Sequence, residues 1–99
     1  MVLEHALIAV RPGAGPEFEA ALARARPIIA SCRGFLSLEL RRGIEDPDRY
    51  LLLVGWETLD DHLVGFRESD AFGRWRAEIG EYFDGSPMVD HYEGVEGLV

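Results

Sequence analysis

Along the chain, runs in which apolar side chains cluster or alternate give way to stretches where they recur every three to four positions. Leu3 to Val10 is a β-compatible apolar run that stops at Arg11-Pro12-Gly13, and it predicts a first strand. Both faces of that strand carry apolar groups: Leu3, His5, Leu7 and Ala9 on one, Val2, Ala6, Ile8 and Val10 on the other. From Pro16, well placed in a first helical turn, Phe18, Leu22, Ala25 and Ile29 mark a helix with one buried stripe. Pro27 removes a ladder bond, so the helix should kink or finish irregularly before Gly34 ends it.

Phe35 to Arg42 alternates, with Leu36, Leu38 and Leu40 on one face and Ser37, Glu39 and Arg41 on the other. Turn formers fill 43–48, and Arg49 to Glu57 follows as the most apolar strand, so the two segments predict a hairpin. Tyr50, Leu52, Val54 and Trp56 share one of its faces, Leu51 and Leu53 the other. Thr58 with Asp61 forms a weak capping box for a second helix, whose stripe is Leu59, His62, Leu63 and Phe66. Ser69-Asp70 restarts a helix carrying Phe72, Trp75, Arg76, Ile79, Tyr82 and Phe83 to about Asp84. After Gly85-Ser86-Pro87, Met88 to Val95 reads as the last strand, with Val89 and His91 on one face and Met88 and Tyr92 on the other.

The order is βαββ(αα)β, a split βαβ arrangement, and it predicts an α+β, ferredoxin-like fold with a four-stranded antiparallel sheet and helices on one side. Strands apolar on both faces need cover on both, and the helices supply only one cover. A second copy of the same sheet is the economical solution, which predicts a homodimer.

At 99 residues and 47% apolar composition, residues 1–99 make a single domain able to bury its own core. The formal net charge of -8 repels phosphate backbones and anionic lipid, so neither nucleic acid nor a membrane is expected as a partner. Cys32 is the only cysteine, which excludes an internal disulfide and a cysteine-rich zinc site and suits a reducing cytoplasm. No signal peptide or membrane span stands out. His5, His62 and His91 do not have the spacing of a metal motif, and no Gly-rich phosphate loop or G-x-S-x-G occurs.

The run from Tyr50 to Tyr92 resembles the antibiotic biosynthesis monooxygenase domain. The shared features are a third strand ending in Trp56-Glu57, a capped helix, a Ser69-x-x-Phe72 restart and a late histidine-bearing strand. The first half is similar through its apolar strand, the Pro/Gly turn, Phe18, and Gly34-Phe35 opening strand two. The resemblance implies a dimeric α/β barrel with a ligand pocket between each sheet and its own helices. It also implies an activity range that includes cofactor-free oxygenases of aromatic polyketides and quinol oxygenases. The family's haem-degrading branch carries an Asn on the first strand, a Trp on the helix after strand three and a haem-ligating His on the next helix. Here His5 lies near the first of these positions, Phe66 stands at the second and Arg76 at the third, so the iron would lack its axial ligand.

Oxygenation without a cofactor needs a base, a donor for the developing oxyanion and a dry pocket. His62 is the first candidate base because it sits on the stripe facing the sheet; the bland alternative is a core-edge histidine satisfied by backbone or water. Trp75 and a tyrosine, Tyr82 foremost, are candidates to frame the substrate and donate to an oxyanion. Trp56, Phe66 and Phe72 are candidate aromatic contacts, and Arg67 and Arg76 candidate partners for a ligand carboxylate or phenolate. The expected function is a cofactor-independent monooxygenase acting on a small aromatic, polyketide or quinol-type substrate, with no cofactor and no metal. The alternative is a non-catalytic dimer that binds a small hydrophobic molecule or regulates a partner.

Overall fold

The computed structural model describes residues 1–99 and has the expected ferredoxin-like architecture. Strand β1 (Val2–Ala9) leads to helix α1 (Gly15–Ala30), and β2 (Phe35–Arg42) and β3 (Arg49–Trp56) form the hairpin. A helical segment ending in the π-turn Asp61–Phe66 precedes α2 (Asp70–Ile79), a 3₁₀ turn (Gly80–Tyr82) and β4 (Met88–Glu93). All strand pairs are antiparallel, in the order β2-β3-β1-β4. The long crossovers leave the two central strands, β3 and β1, with the most apolar sequence.

Register decides which residues meet. Val2, Glu4, Ala6 and Ile8 lie opposite Trp56, Val54, Leu52 and Tyr50, all on the face covered by α1 and α2. The core is built there from Phe18, Leu22 and Ile29 of α1, Phe66 of the π-turn, and Trp75 and Ile79 of α2. Each large side chain contributes roughly 1.5–3 kcal/mol by leaving water. The opposite face carries Leu3, Leu7, Leu51, Leu53, Met88 and Tyr92, with no element of the chain across it; Leu7, Met88 and Tyr92 are more than half exposed.

Several local expectations change. In β2, Phe35 pairs with Trp56 but Ser37 with Gly55, so Leu36 is the extra residue of a β-bulge and is exposed, while Phe35, Leu38 and Leu40 reach the core. The alternation of Leu36, Leu38 and Leu40 therefore breaks at its first member. Helix α1 runs through Pro27 to Ala30, and its end tightens from Ser31 N–H bonding Pro27 O to Cys32 N–H bonding Ile29 O.

The Thr58–Asp61 capping box forms in both directions, each backbone N–H donating to the other residue's side chain at 3.1–3.2 Å. The segment then widens into a π-turn in which Arg67 N–H donates to His62 O, five residues back. That widening changes the angular spacing of the stripe: His62 and Phe66 are buried, whereas Leu59 and Leu63 are exposed. Ser69 precedes α2 in extended conformation but does not cap it by side chain, because its hydroxyl donates to Phe66 O at 2.7 Å. The third helix ends at Ile79 rather than near Asp84, and β4 ends at Glu93 rather than Val95.

Gly34 closes the turn between α1 and β2 with φ +84°, and a Cβ there would collide with the Asp61 carboxylate of the capping box. Gly34→Ala should therefore lower stability by about 1–3 kcal/mol. Urea unfolding monitored by circular dichroism measures this; an unchanged midpoint would show that the turn relaxes freely.

Candidate functional site

Glu4 is the one charged residue on the covered face of β1. Register sets it beside Val54 of β3 and His91 of β4, with Trp56 diagonally across. The Trp56 indole N–H donates to Glu4 Oε1 at 3.0 Å. The π-turn brings His62 over the same group: its Nε2 is 3.3 Å from Oε1, and its ring stacks on Trp56 at 5.3 Å between centroids. His62 Nδ1 is in turn 2.7 Å from Nε2 of His91. Glu4 and His62 are 6% and 3% exposed, so a carboxyl and an imidazole share a nearly dry position while His91 reaches halfway to the surface.

Burial favours the neutral form of both groups. It raises the Glu4 carboxyl above its ordinary value, against the Trp56 hydrogen bond and the positive field of Arg67. Burial also lowers His62 to about 4, helped by His91 and Arg67, and it lowers His91, again with Arg67 contributing. In water imidazole is the stronger base; burial here narrows that difference from both sides. The Glu4–His62 contact is therefore not an ion pair at neutral pH.

With Glu4 ionised, the arrangement that satisfies both contacts puts the His62 proton on Nε2, facing the carboxylate, and lets Nδ1 accept from His91. With Glu4 protonated, the same contacts serve in the reverse sense, so the three groups form a path along which a proton can move. Trp56 and His62 both address Oε1, and Glu4 also lines a cavity.

That cavity, about 260 Å³, lies between sheet and helices. Ala6, Ile8 and Leu52 form its floor; Ile29, Phe66, Trp75 and Ile79 form its walls; Phe83, Ser86 and Pro87 stand at the approach to β4. Glu4 and His62 present polar atoms at one side, and Phe72, Arg67 and Arg76 lie on the helical side of the rim. The cavity thus unites His62, Trp75, Phe66, Phe72, Arg67 and Arg76 from the expected set.

Two expected members fall elsewhere. Trp56 is fully buried and spends its N–H on Glu4, so it backs the site without lining it. Tyr82 sits in the 3₁₀ turn after α2, half-buried and outside the cavity, because the helix stops before it can carry the ring inward. No tyrosine lines the cavity: Tyr50 donates to Glu19 at 2.5 Å, and Tyr92 packs against His5 on the uncovered sheet face. Glu4 and His91 are the additions. No cluster of three or more His, Cys, Asp or Glu side chains is disposed to hold a metal ion, and no helix is long and apolar enough to cross a membrane.

A four-stranded antiparallel sheet with a cavity under its helices, and one buried acid–imidazole pair in the wall, defines a small α+β, ferredoxin-like domain. The model of the antibiotic biosynthesis monooxygenase family matches residues 1–78, and the chain belongs to that family. It is 39% identical over 95 residues to the uncharacterized protein YczJ of Bacillus subtilis (strain 168), covering 96% of this chain and all of that one. A crystal structure of a Bordetella bronchiseptica protein assigned to the same family is 46% identical, with TM-score 0.93 over 95% of this chain and 96% of that one. SnoaB, a cofactor-independent oxygenase from Streptomyces nogalater, shares the fold at 21% identity, TM-score 0.79, over 98% of this chain and 95% of its own.

Because its folded-state pKa lies below 6.5, His62 favours the fold fully above pH 6.5, and that contribution is lost as pH falls toward 4. Glu4 has the opposite sign, favouring the fold below 4.5 and losing that contribution as pH rises through its raised value. Arg67 lowers all three groups, so Arg67→Ala should move the titration midpoints of Glu4, His62 and His91 upward together. Side-chain NMR titration reads this directly; a His62 midpoint near 6.5 in the unaltered protein would contradict the buried geometry.

Proposed function

We propose that the protein is a cofactor-independent monooxygenase acting on a hydroxyaromatic or quinol-type substrate of one or two fused rings. The observation that carries this reading is a buried carboxylate–imidazole pair opening into an apolar, aromatic-walled cavity. Membership of the family, and the shared fold of an oxygenase that needs no cofactor, support the same chemistry.

Substrate size follows from volume. A dry cavity of about 150 Å³ accommodates one benzene. At about 260 Å³ there is room for a second fused ring. The walls Phe66, Phe72 and Trp75 offer ring faces and edges to such a ligand.

Glu4, rather than His62, is the group proposed to take the substrate proton, since general-base catalysis is best when the base titrates near working pH and burial moves only the carboxylate toward that range. His62 and His91 lead the proton away. The positive field of Arg67, which weakens both imidazoles as bases, also stabilises the substrate anion. The deprotonated substrate gives electrons to O₂, a C–O bond forms, and the resulting hydroperoxide breaks its O–O bond. For a phenol with an open ring position the sum is phenol plus O₂ giving quinone plus water. Atoms and electrons balance with O₂ as the only oxidant.

The second reading, a non-catalytic binding dimer, uses the same cavity without turnover. We also infer a homodimer closed through the uncovered face of the sheet, in a cytoplasmic setting consistent with a single half-buried thiol.

Oxygen-electrode assays with small naphthols and quinols should detect uptake that falls about 100-fold or more in Glu4→Gln. Undiminished uptake in that variant would remove Glu4 from the chemistry, and no uptake by the unaltered protein would favour the binding reading. Separately, Leu53→Asp places a charge at the centre of the uncovered face and should halve the mass seen by sedimentation, while equal masses would rule out this interface.

A further inference from the structure

Four of the ten arginines in this acidic chain find carboxylates: Arg24 pairs with Glu78, Arg41 with Glu39, Arg42 with Glu19 and Arg49 with Asp46. Of the six that do not, although acidic residues outnumber basic ones eighteen to ten, Arg67 and Arg76 are the two that line the cavity. Each is instead held over an aromatic ring. The guanidinium of Arg67 lies 5.6 Å from the Phe72 centroid, and that of Arg76 lies 6.0 Å from Phe72 and 5.4 Å from Phe83.

Both side chains are exposed, and both, with Phe72 and Phe83, line the same cavity. A ring face fixes a guanidinium without consuming its N–H donors, which lie in the guanidinium plane and remain free for an acceptor. The only carboxylate in the lining is Glu4, and it is engaged by Trp56 and His62. Two unneutralised cations at the rim of an apolar cavity create a local positive field in a molecule of net charge -8.

We propose that Arg67 and Arg76 recognise a permanent anionic group on the ligand, so that the molecule bound is a one- or two-ring hydroxyaromatic carboxylate, carboxylate at the rim and hydroxyl toward Glu4. This rests on the cavity being the ligand site and narrows the substrate class proposed above. Bidentate guanidinium–carboxylate bonding suits a carboxylate at the rim, where water is still present to solvate its outer edge. It also orients the ring, since the opposite end must enter the apolar part of the cavity first.

The test is calorimetric titration of the full-length protein with 3-hydroxy-2-naphthoate and with 2-naphthol at low ionic strength. The carboxylate should bind about 10- to 100-fold more tightly. That advantage should shrink as salt is added. Arg67→Gln and Arg76→Gln should each weaken the carboxylate more than 2-naphthol and so reduce the preference, with circular dichroism and urea unfolding of the variants as the control for folding. Bound carboxylate should raise the His62 titration midpoint by neutralising the Arg67 field, and this rise should be absent in Arg67→Gln. Equal affinities, binding of neither compound, or a preference that survives both arginine substitutions overturns the proposal. Oxygen uptake separates the two readings: selective binding without uptake keeps the recognition site and removes the oxygenase, whereas uptake with 2-naphthol alone does the reverse.

Discussion

The hydrogen bond from the Trp56 indole to the buried Glu4 carboxylate is the constraint around which the rest of the site is arranged. A carboxyl group under a helical layer loses its hydration, and an unpartnered one would cost several kcal/mol. Trp56 supplies a donor from the adjoining strand, His62 contributes a polar atom from above, and the register of β1 with β3 and β4 is what makes them meet. A slip of one residue would turn Glu4 outward and bring Leu3 and His5 into the core. The polar cluster therefore specifies register as well as chemistry, and every buried side-chain nitrogen and oxygen in the chain has a partner.

The second constraint is the π-turn. One residue more per turn lets His62 stack on Trp56 and Phe66 pack against Trp75 within a single short segment, at the cost of ordinary helical bonding. Its amino end is secured by the Thr58–Asp61 box, and its carboxy end by the Ser69 hydroxyl folding back on Phe66 O. Both fixings are made by side chains on the flanks, so the distortion is held from outside and the buried side chains are left free to face the cavity.

Most of the fold was legible because its signals are periodic. Alternation along β3, the three-and-four spacing of α1 and the turn residues between elements each follow from local geometry, and the element order then leaves few topologies. What could not be read arises where two segments meet. The bulge at Leu36 depends on how β2 pairs with β3, and the burial of His62 without Leu59 and Leu63 depends on a helix that is not of regular pitch. Of the site, His62, Trp75 and the rim arginines were recognisable as types on a buried or adjoining stripe. Glu4 does leave a signal in the sequence, since a charge interrupting the apolar series Val2, Ala6, Ile8, Val10 asks for a buried partner. His91 was visible on the inner face of β4, but its 2.7 Å approach to His62 is a product of tertiary packing that spacing along the chain does not carry.

Burial does something to this pair that neither residue type predicts alone. Removing water penalises whichever form is charged, so it raises the acid and lowers the base, and the gap in proton affinity that separates them in water narrows from both sides. A resting imidazolium–carboxylate pair would hold its proton in a local minimum and offer little to a substrate. In the proposed mechanism a proton taken from the cavity goes first to Glu4, and the contacts through His62 to the half-exposed His91 offer it a way out. The Arg67 field opposes retention at all three positions and favours an anion in the cavity. The same dry environment that makes the cluster costly to bury thus discourages charge on either member, while the Arg67 field favours negative charge on a molecule in the cavity.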